Sequence, residues 1–143
     1  MNINRKKVTL YDGGEKDVTG CSVDFIAQCI GAVVRLAPET TKNRRIHIAE
    51  VKYSGKELSE TVEEVTGEKW EVEEKSTDTI WEEGKKAGAR GDVRGFYLGN
   101  ILKLNFDGEG AAFFEEGLAF GDESVKRRNL KDIVERSFRL KLE

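Results

Sequence analysis

SGKELSETVEEVTGEKWEVEE, residues 54 to 74, sets the fold class. It opens on a capping box, with Ser54 and Glu57 placed to satisfy each other's backbone donors, and Leu58, Val62 and Val65 then recur at helical spacing. Thr66 and Gly67 stop that helix. In WEVEE, Trp70 and Val72 alternate against Glu71 and Glu73, the period of a strand with one wet face. Just upstream, RRIHIAEV at 44–51 puts Ile46 and Ile48 on one side and His47 on the other, which predicts another strand. A further helix is expected from about Thr77. Strand, helix, strand, helix predicts an α/β protein, a small sheet covered by helices.

Working outward, Val8 to Tyr11 reads as a short strand running into Asp12, Gly13 and Gly14, which supply positive φ cheaply for a hairpin or tight loop. Ser22 caps a helix whose apolar residues are Phe25, Ile26, Cys29, Ile30, Val33 and Val34, and Pro38 follows its end. At the other end Asn129 caps an amphipathic helix carrying Leu130, Ile133, Val134 and Phe138. Between them the texture changes, because nine of the fifteen glycines fall from Gly84 to Gly121. Residues 84–121 are therefore expected to form a flexible, Gly-rich region on the substrate side of a single domain spanning 1–143. Within it, GFYLGNILKLNF at 95–106 has little polar face, a helix of the kind usually buried on more than one side.

A chain of 143 residues is long enough to bury roughly two thirds of its unfolded surface. Charged residues make up 36%, but both signs are interspersed and the net charge is only -3, so neither a nucleic-acid nor a membrane partner is expected. No apolar run approaches the ~20 residues of a membrane span, and MNINRKKVTL has no signal-peptide core. Cys21 and Cys29 on one helix would stand about 12 Å apart along its axis, beyond disulfide reach. Free thiols imply a cytoplasmic protein, with the nucleus as the alternative.

NFDGEGAAFFEE at 105–116 matches an EF-hand loop loosely: Asn105, Asp107, Glu109, Gly110 and Glu116 take positions one, three, five, six and twelve. Asn at position one is a weak ligand, Ala112 stands where an apolar residue is needed, and there is no twin loop. The loop reads instead as a flexible rim with acids facing water, and no metal is expected. His47 on the wet face of a strand reads as a surface residue, and neither cysteine has a nucleophile's spacing to it. Lys126, Arg127 and Arg128 are bracketed by Asp122, Glu123, Asp132 and Glu135, a solvated helix start. Glu71 and Glu73 have nothing to split their pKa values as a hydrolase pair would require.

VTLYDGGEK, CSVDFIAQCIGAVVR, ETTKNRRIHIAEV and SGKELSETVEEVTGEKWEVE, in that order, resemble the C-terminal half of fungal NmrA-like proteins, the isoflavone-reductase-like atypical short-chain dehydrogenases. The resemblance runs from about Lys7 to about Phe138. Members carry a GxxGxxG-type loop and their catalytic lysine in a preceding Rossmann half. In this sequence the nearest pattern is G-x-G-x-x-F, with Phe113 at the third glycine. No catalytic or cofactor-binding residue transfers, and the catalytic residues stay unknown. The chain alone is expected to hold no cofactor, NADP(H) belonging to a full-length member.

The resemblance thus implies the substrate-binding portion of an NAD(P)-dependent oxidoreductase, from a truncated gene product or a stand-alone domain, not catalytic by itself. Substrate-wall candidates are Phe96, Tyr97, Phe106, Phe113, Phe114 and Phe120, with Asn100 as a polar handle. Partners would be a small-molecule substrate or a protein, with self-association through apolar surface left at Val8 and at Phe96 to Leu104. Two alternatives stay open: a non-catalytic redox-sensing module that binds a protein partner, and a cofactor-independent isomerase or cyclase.

Overall fold

The structure, a computed structural model, describes residues 1–107 and 125–139. Its elements run β1 (Lys7–Tyr11), β2 (Asp17–Gly20), α1 (Val23–Arg35), α2 (Pro38–Thr41), β3 (Val51–Ser54), α3 (Gly55–Thr66), β4 (Glu71–Lys75), α4 (Thr77–Ala89), α5 (Val93–Phe106) and α6 (Leu130–Arg139). The protein is α/β, with two two-stranded sheets among the described residues: β1 pairs with β4 and β2 with β3. The β1–β4 ladder is parallel, Val8 opposite Val72 and Tyr11 opposite Lys75. The chain divides into two compact units, Met1–Val18 with Tyr53–Phe113, and Thr19–Lys52 with Phe114–Glu143.

In the first unit the α3 boundaries are set locally. Ser54 Oγ accepts from the Glu57 amide at 3.1 Å, and Gly67 closes the helix in the left-handed region at φ 66°. Beyond it, Glu63 accepts from the Trp70 amide at 3.0 Å and Thr66 Oγ1 from the Trp70 indole at 3.2 Å. Trp70 is buried, and α3 packs its Val62 in the same unit as Val8 and Leu10 of β1. Asp12, Gly13 and Gly14 all have positive φ, as expected of the tight loop. They do not make a hairpin, since the partner of β1 is β4, reached only after α3.

Several expectations are corrected. Residues 44–49 form no strand. Ile48 packs on the apolar core of its unit, its carbonyl 3.5 Å from Cys21 Sγ, so the alternation of Ile46, His47 and Ile48 reflects burial of one side without a ladder. Val72 is 47% exposed, because a two-stranded sheet leaves its edge strand little to pack against. Val8 is buried and offers no open strand surface. On α1 only Phe25, Cys29 and Ala32 are buried; Val23, Ile26, Ile30 and Val34 form a second, exposed apolar stripe.

Of the glycines from Gly84 to Gly99, Gly91 turns the chain between α4 and α5 at φ 82°, but the other four do not serve to bend it. Gly84, Gly88, Gly95 and Gly99 lie inside α4 and α5, which pack together as a helical hairpin. A Cβ on Gly99 would sit 3.0 Å from the Gly84 Cα, and one on Gly88 3.0 Å from the Phe96 ring. Only glycine permits that approach. α5 is not buried on several sides: Tyr97, Leu98, Ile101 and Leu104 are about half exposed or more. Among the described residues no helix is long and apolar enough to cross a membrane.

In the second unit Phe25, Cys29, Ala32 and Val125 form the core. Asn129 Oδ1 caps α6 by accepting from the Asp132 amide at 2.8 Å, and Leu130 and Val134 are buried. Both cysteines are free, Cys29 buried and Cys21 half-buried.

Candidate functional site

The first unit carries a cavity of about 80 Å³ at the carboxyl end of β1, lined by Met1, Val8, Thr9, Tyr11, Gly14, Lys16, Tyr53, Gly55, Leu58 and Phe106. The loops that follow parallel strands are where α/β sheets bind ligands, because there the chain turns away from the sheet and leaves a crevice. Three features of the sequence build this one. The left-handed backbone after Tyr11 carries Gly14 into contact with Gly55, where a Cβ on Gly55 would meet the Gly14 Cα at 3.2 Å. Phe106, at the end of α5, stacks on Tyr11 with ring centroids 4.7 Å apart. Asp12 joins the loop after β1 to the start of α4, its carboxylate accepting from the Thr77 amide at 2.9 Å and from Thr77 Oγ1 at 2.5 Å.

The electrostatics follow from burial and these bonds. Burial raises the pKa of both phenols, Tyr53 by burial alone and Tyr11 with the added charge of Glu73, so each keeps its proton throughout the neutral range. Burial also pushes Asp12 up, but the two bonds from Thr77 and the charges of Lys103 and Lys16 outweigh it, leaving Asp12 below the usual carboxylate range. The cavity is therefore lined by the aromatic side chains of Tyr11, Tyr53 and Phe106, with both phenols protonated, and by Lys16. Such a lining can hold a small ring and donate hydrogen bonds to an oxygen on it.

Of the residues singled out from the sequence, Phe106 lines this cavity. Phe96 lies over Gly88 and tilts against Trp81 at 6.5 Å, and Tyr97 points outward, 63% exposed. Asn100 donates its amide to the Phe96 carbonyl of its own helix at 2.7 Å. Phe113, Phe114 and Phe120 lie outside the described residues. Tyr11, Lys16 and Tyr53 were not singled out by sequence reasoning. Their signal is an aromatic at the end of a strand directly before Asp-Gly-Gly, where an α/β crevice opens. The calcium-like loop begins inside regular structure, since Asn105 belongs to α5 and Asp107 approaches Lys103 at 3.9 Å; its remainder is outside the described residues. No group of three potential metal ligands comes together among the described residues.

The starts of α1, α4 and α5 each have an amide bonded to a side chain. Asp12 bonds the first amide of α4, and Asp92 accepts from Gly95 at 2.8 Å to cap α5. At α1, Ser22 Oγ accepts from Phe25 while the Ser22 amide donates to Glu50 at 2.8 Å. The Glu50 side chain is fully buried and also accepts from Arg128 Nε at 2.9 Å, and Arg128 reaches Ser22 Oγ at 2.6 Å. Burial raises the pKa of Glu50, but the bonds from Ser22 and Arg128 outweigh it and hold the carboxyl below its ordinary range.

Against known proteins, the chain is 29% identical over 112 residues to a protein named oxidoreductase poxI from Penicillium oxalicum, and equally so to its counterpart in strain 114-2 / CGMCC 5302. The match covers 78% of this chain and 35% of those proteins, so the chain spans about a third of the length of the curated relatives it matches. This is a distant relationship to an oxidoreductase. No family model matches the chain, and no solved structure does.

Proposed function

We propose that the chain is the substrate-binding portion of an NmrA-like, NAD(P)-dependent oxidoreductase, working with a nucleotide-binding portion formed by other residues. The observation that carries this reading is the match of 78% of the chain to part of an oxidoreductase. The cavity at the carboxyl end of β1 supports it, because the stacked rings of Tyr11 and Phe106 give it an aromatic wall and the protonated phenols offer donors to a carbonyl oxygen. The occupied helix starts support the cofactor half of the proposal. Pyrophosphate is held by open amides at a helix N-terminus, and here Asp12, Ser22, Ser54 and Asp92 each already take one such amide. Cover for the exposed apolar stripes of α1 and α5 would come from the nucleotide-binding portion or a partner protein.

Two measurements test it. NADPH fluorescence, titrated with the chain, is expected to show no saturable response at micromolar concentration. Ligand-observed NMR with ring-sized aromatic carbonyl compounds is expected to show binding that Tyr11→Ala and Phe106→Leu both weaken. Salt-resistant NADPH binding would overturn the cofactor assignment, and carbonyl binding indifferent to both substitutions would overturn the substrate site.

A further inference from the structure

A second concavity, a groove of about 430 Å³, lies along the seam of α4 and α5. Its floor is made by absence of side chains. Gly84 and Gly99 approach so closely that a Cβ on either would come within 3.0 to 3.1 Å of the other's Cα. Ile80 and Ala87 of α4, and Leu98 and Leu102 of α5, make the walls apolar. Leu98 is 55% exposed there.

The rim is different in kind. Lys86 and Arg90, four residues and so about one turn apart on α4, both line the groove. Elsewhere on the hairpin Lys85 pairs with Glu82 and Lys103 with Asp78. Lys86 and Arg90 have no ion-pair partner among the described residues, and the one acid in the lining is Glu83. Two unpaired cations beside an apolar trough complement a molecule with an apolar body and an anionic head. Glu83, about one turn from Lys86 and two from Arg90, puts a negative charge in the lining that disfavours a dianion, and the single planar fork of Arg90 suits a carboxylate.

We infer that the α4–α5 groove binds an amphiphilic monocarboxylate, an acyl chain of about twelve carbons lying along Gly84 and Gly99 with its head between Lys86 and Arg90. This does not rest on the oxidoreductase reading, since the groove shares no lining residue with the cavity at β1.

The experiment is calorimetric titration of the full chain with dodecanoate and with dodecanol, both below the concentration at which they aggregate. Saturable binding of dodecanoate is expected, at least about tenfold tighter than that of dodecanol, the loss expected on removing charge-assisted hydrogen bonds. The double substitution Lys86→Gln/Arg90→Gln should remove that preference and leave dodecanol binding as it was. Should that variant fold poorly, raising the salt on the unaltered chain must narrow the preference in the same way. Absence of dodecanoate binding, equal binding of acid and alcohol, or a preference insensitive to both charge removal and salt overturns the inference. So does a dimer in sedimentation that Leu98→Asp dissociates and dodecanoate does not, since the groove would then belong to a second copy.

Discussion

Gly99→Ala and Gly31→Ala are the same substitution in two helix interiors, and they should change stability in opposite directions. Each removes the conformational freedom that glycine brings to the unfolded chain, worth about 0.5–1 kcal/mol in a helix. At Gly31 the new Cβ would meet only Arg35 Nη1, at 3.5 Å, the movable end of a long side chain. Nothing opposes the gain, and the unit containing α1 should be more stable by about 0.5–1 kcal/mol. At Gly99 the new Cβ would lie 3.0 Å from both the Gly84 Cα and the Ile80 carbonyl oxygen. Those are backbone atoms, so the helices themselves must separate, a strain of about 1–3 kcal/mol in a packed interior. Net of the glycine gain, Gly99→Ala should lose about 0.5–2 kcal/mol. Trp70 and Trp81 both belong to the unit holding Gly99, so tryptophan fluorescence in urea follows that unit. Buried Cys29 belongs to the other, and the rate at which it is labelled by a thiol reagent follows the opening of α1. A rise in the fluorescence midpoint for Gly99→Ala, comparable to the slowing of labelling in Gly31→Ala, would refute the close crossing of α4 and α5.

Glu50→Gln should destabilise the second unit by about 2–4 kcal/mol, because a fully buried carboxylate facing Arg128 and the Ser22 amide becomes a neutral amide with donors of its own. The pKa of Glu50 is lowered in the fold, so its contribution is present above the ordinary carboxylate range and is lost as the pH falls through the folded value. The variant should therefore lose less stability than the parent in acid, and parallel pH profiles from chemical denaturation would contradict the assignment. Both thiols are raised by burial, so maleimide should label Cys29 slowly in the native protein, and each cysteine once in denaturant without reductant; mass spectrometry showing fewer than two labels in denaturant would refute free thiols. Tyr97→Ser/Ile101→Ser should reduce hydrophobic-dye binding and any self-association seen in sedimentation while leaving the urea midpoint nearly unchanged, since both side chains are about half exposed or more. A large fall in the midpoint would mean that this face is packed.

What could be read from the sequence is what lies within one helical turn. Ser22, Ser54, Asn129 and Gly67 act on amides or carbonyls three or four residues away, so the sequence alone determined the starts of α1, α3 and α6 and the end of α3. The α/β class followed from alternating periods, helical in Leu58 to Val65 and strand-like in Trp70 to Glu73. Long-range pairing decided the rest. β1 meets β4 across more than sixty residues, Asp12 meets Thr77 across a separation of 65, and Arg128 meets Glu50 across one of 78. None of these pairs has a local signature, because their energy comes from desolvation and hydrogen bonding that exist only once the chain has closed. The glycines of α4 and α5 read as flexibility because glycine's freedom is a property of the single residue, whereas its use in a close helix crossing depends on the glycine opposite. For the same reason Phe106 and Tyr97, alike in the sequence, part company in the fold: one turn of α5 carries Phe106 against Tyr11 at the β1 cavity, and another leaves Tyr97 facing water.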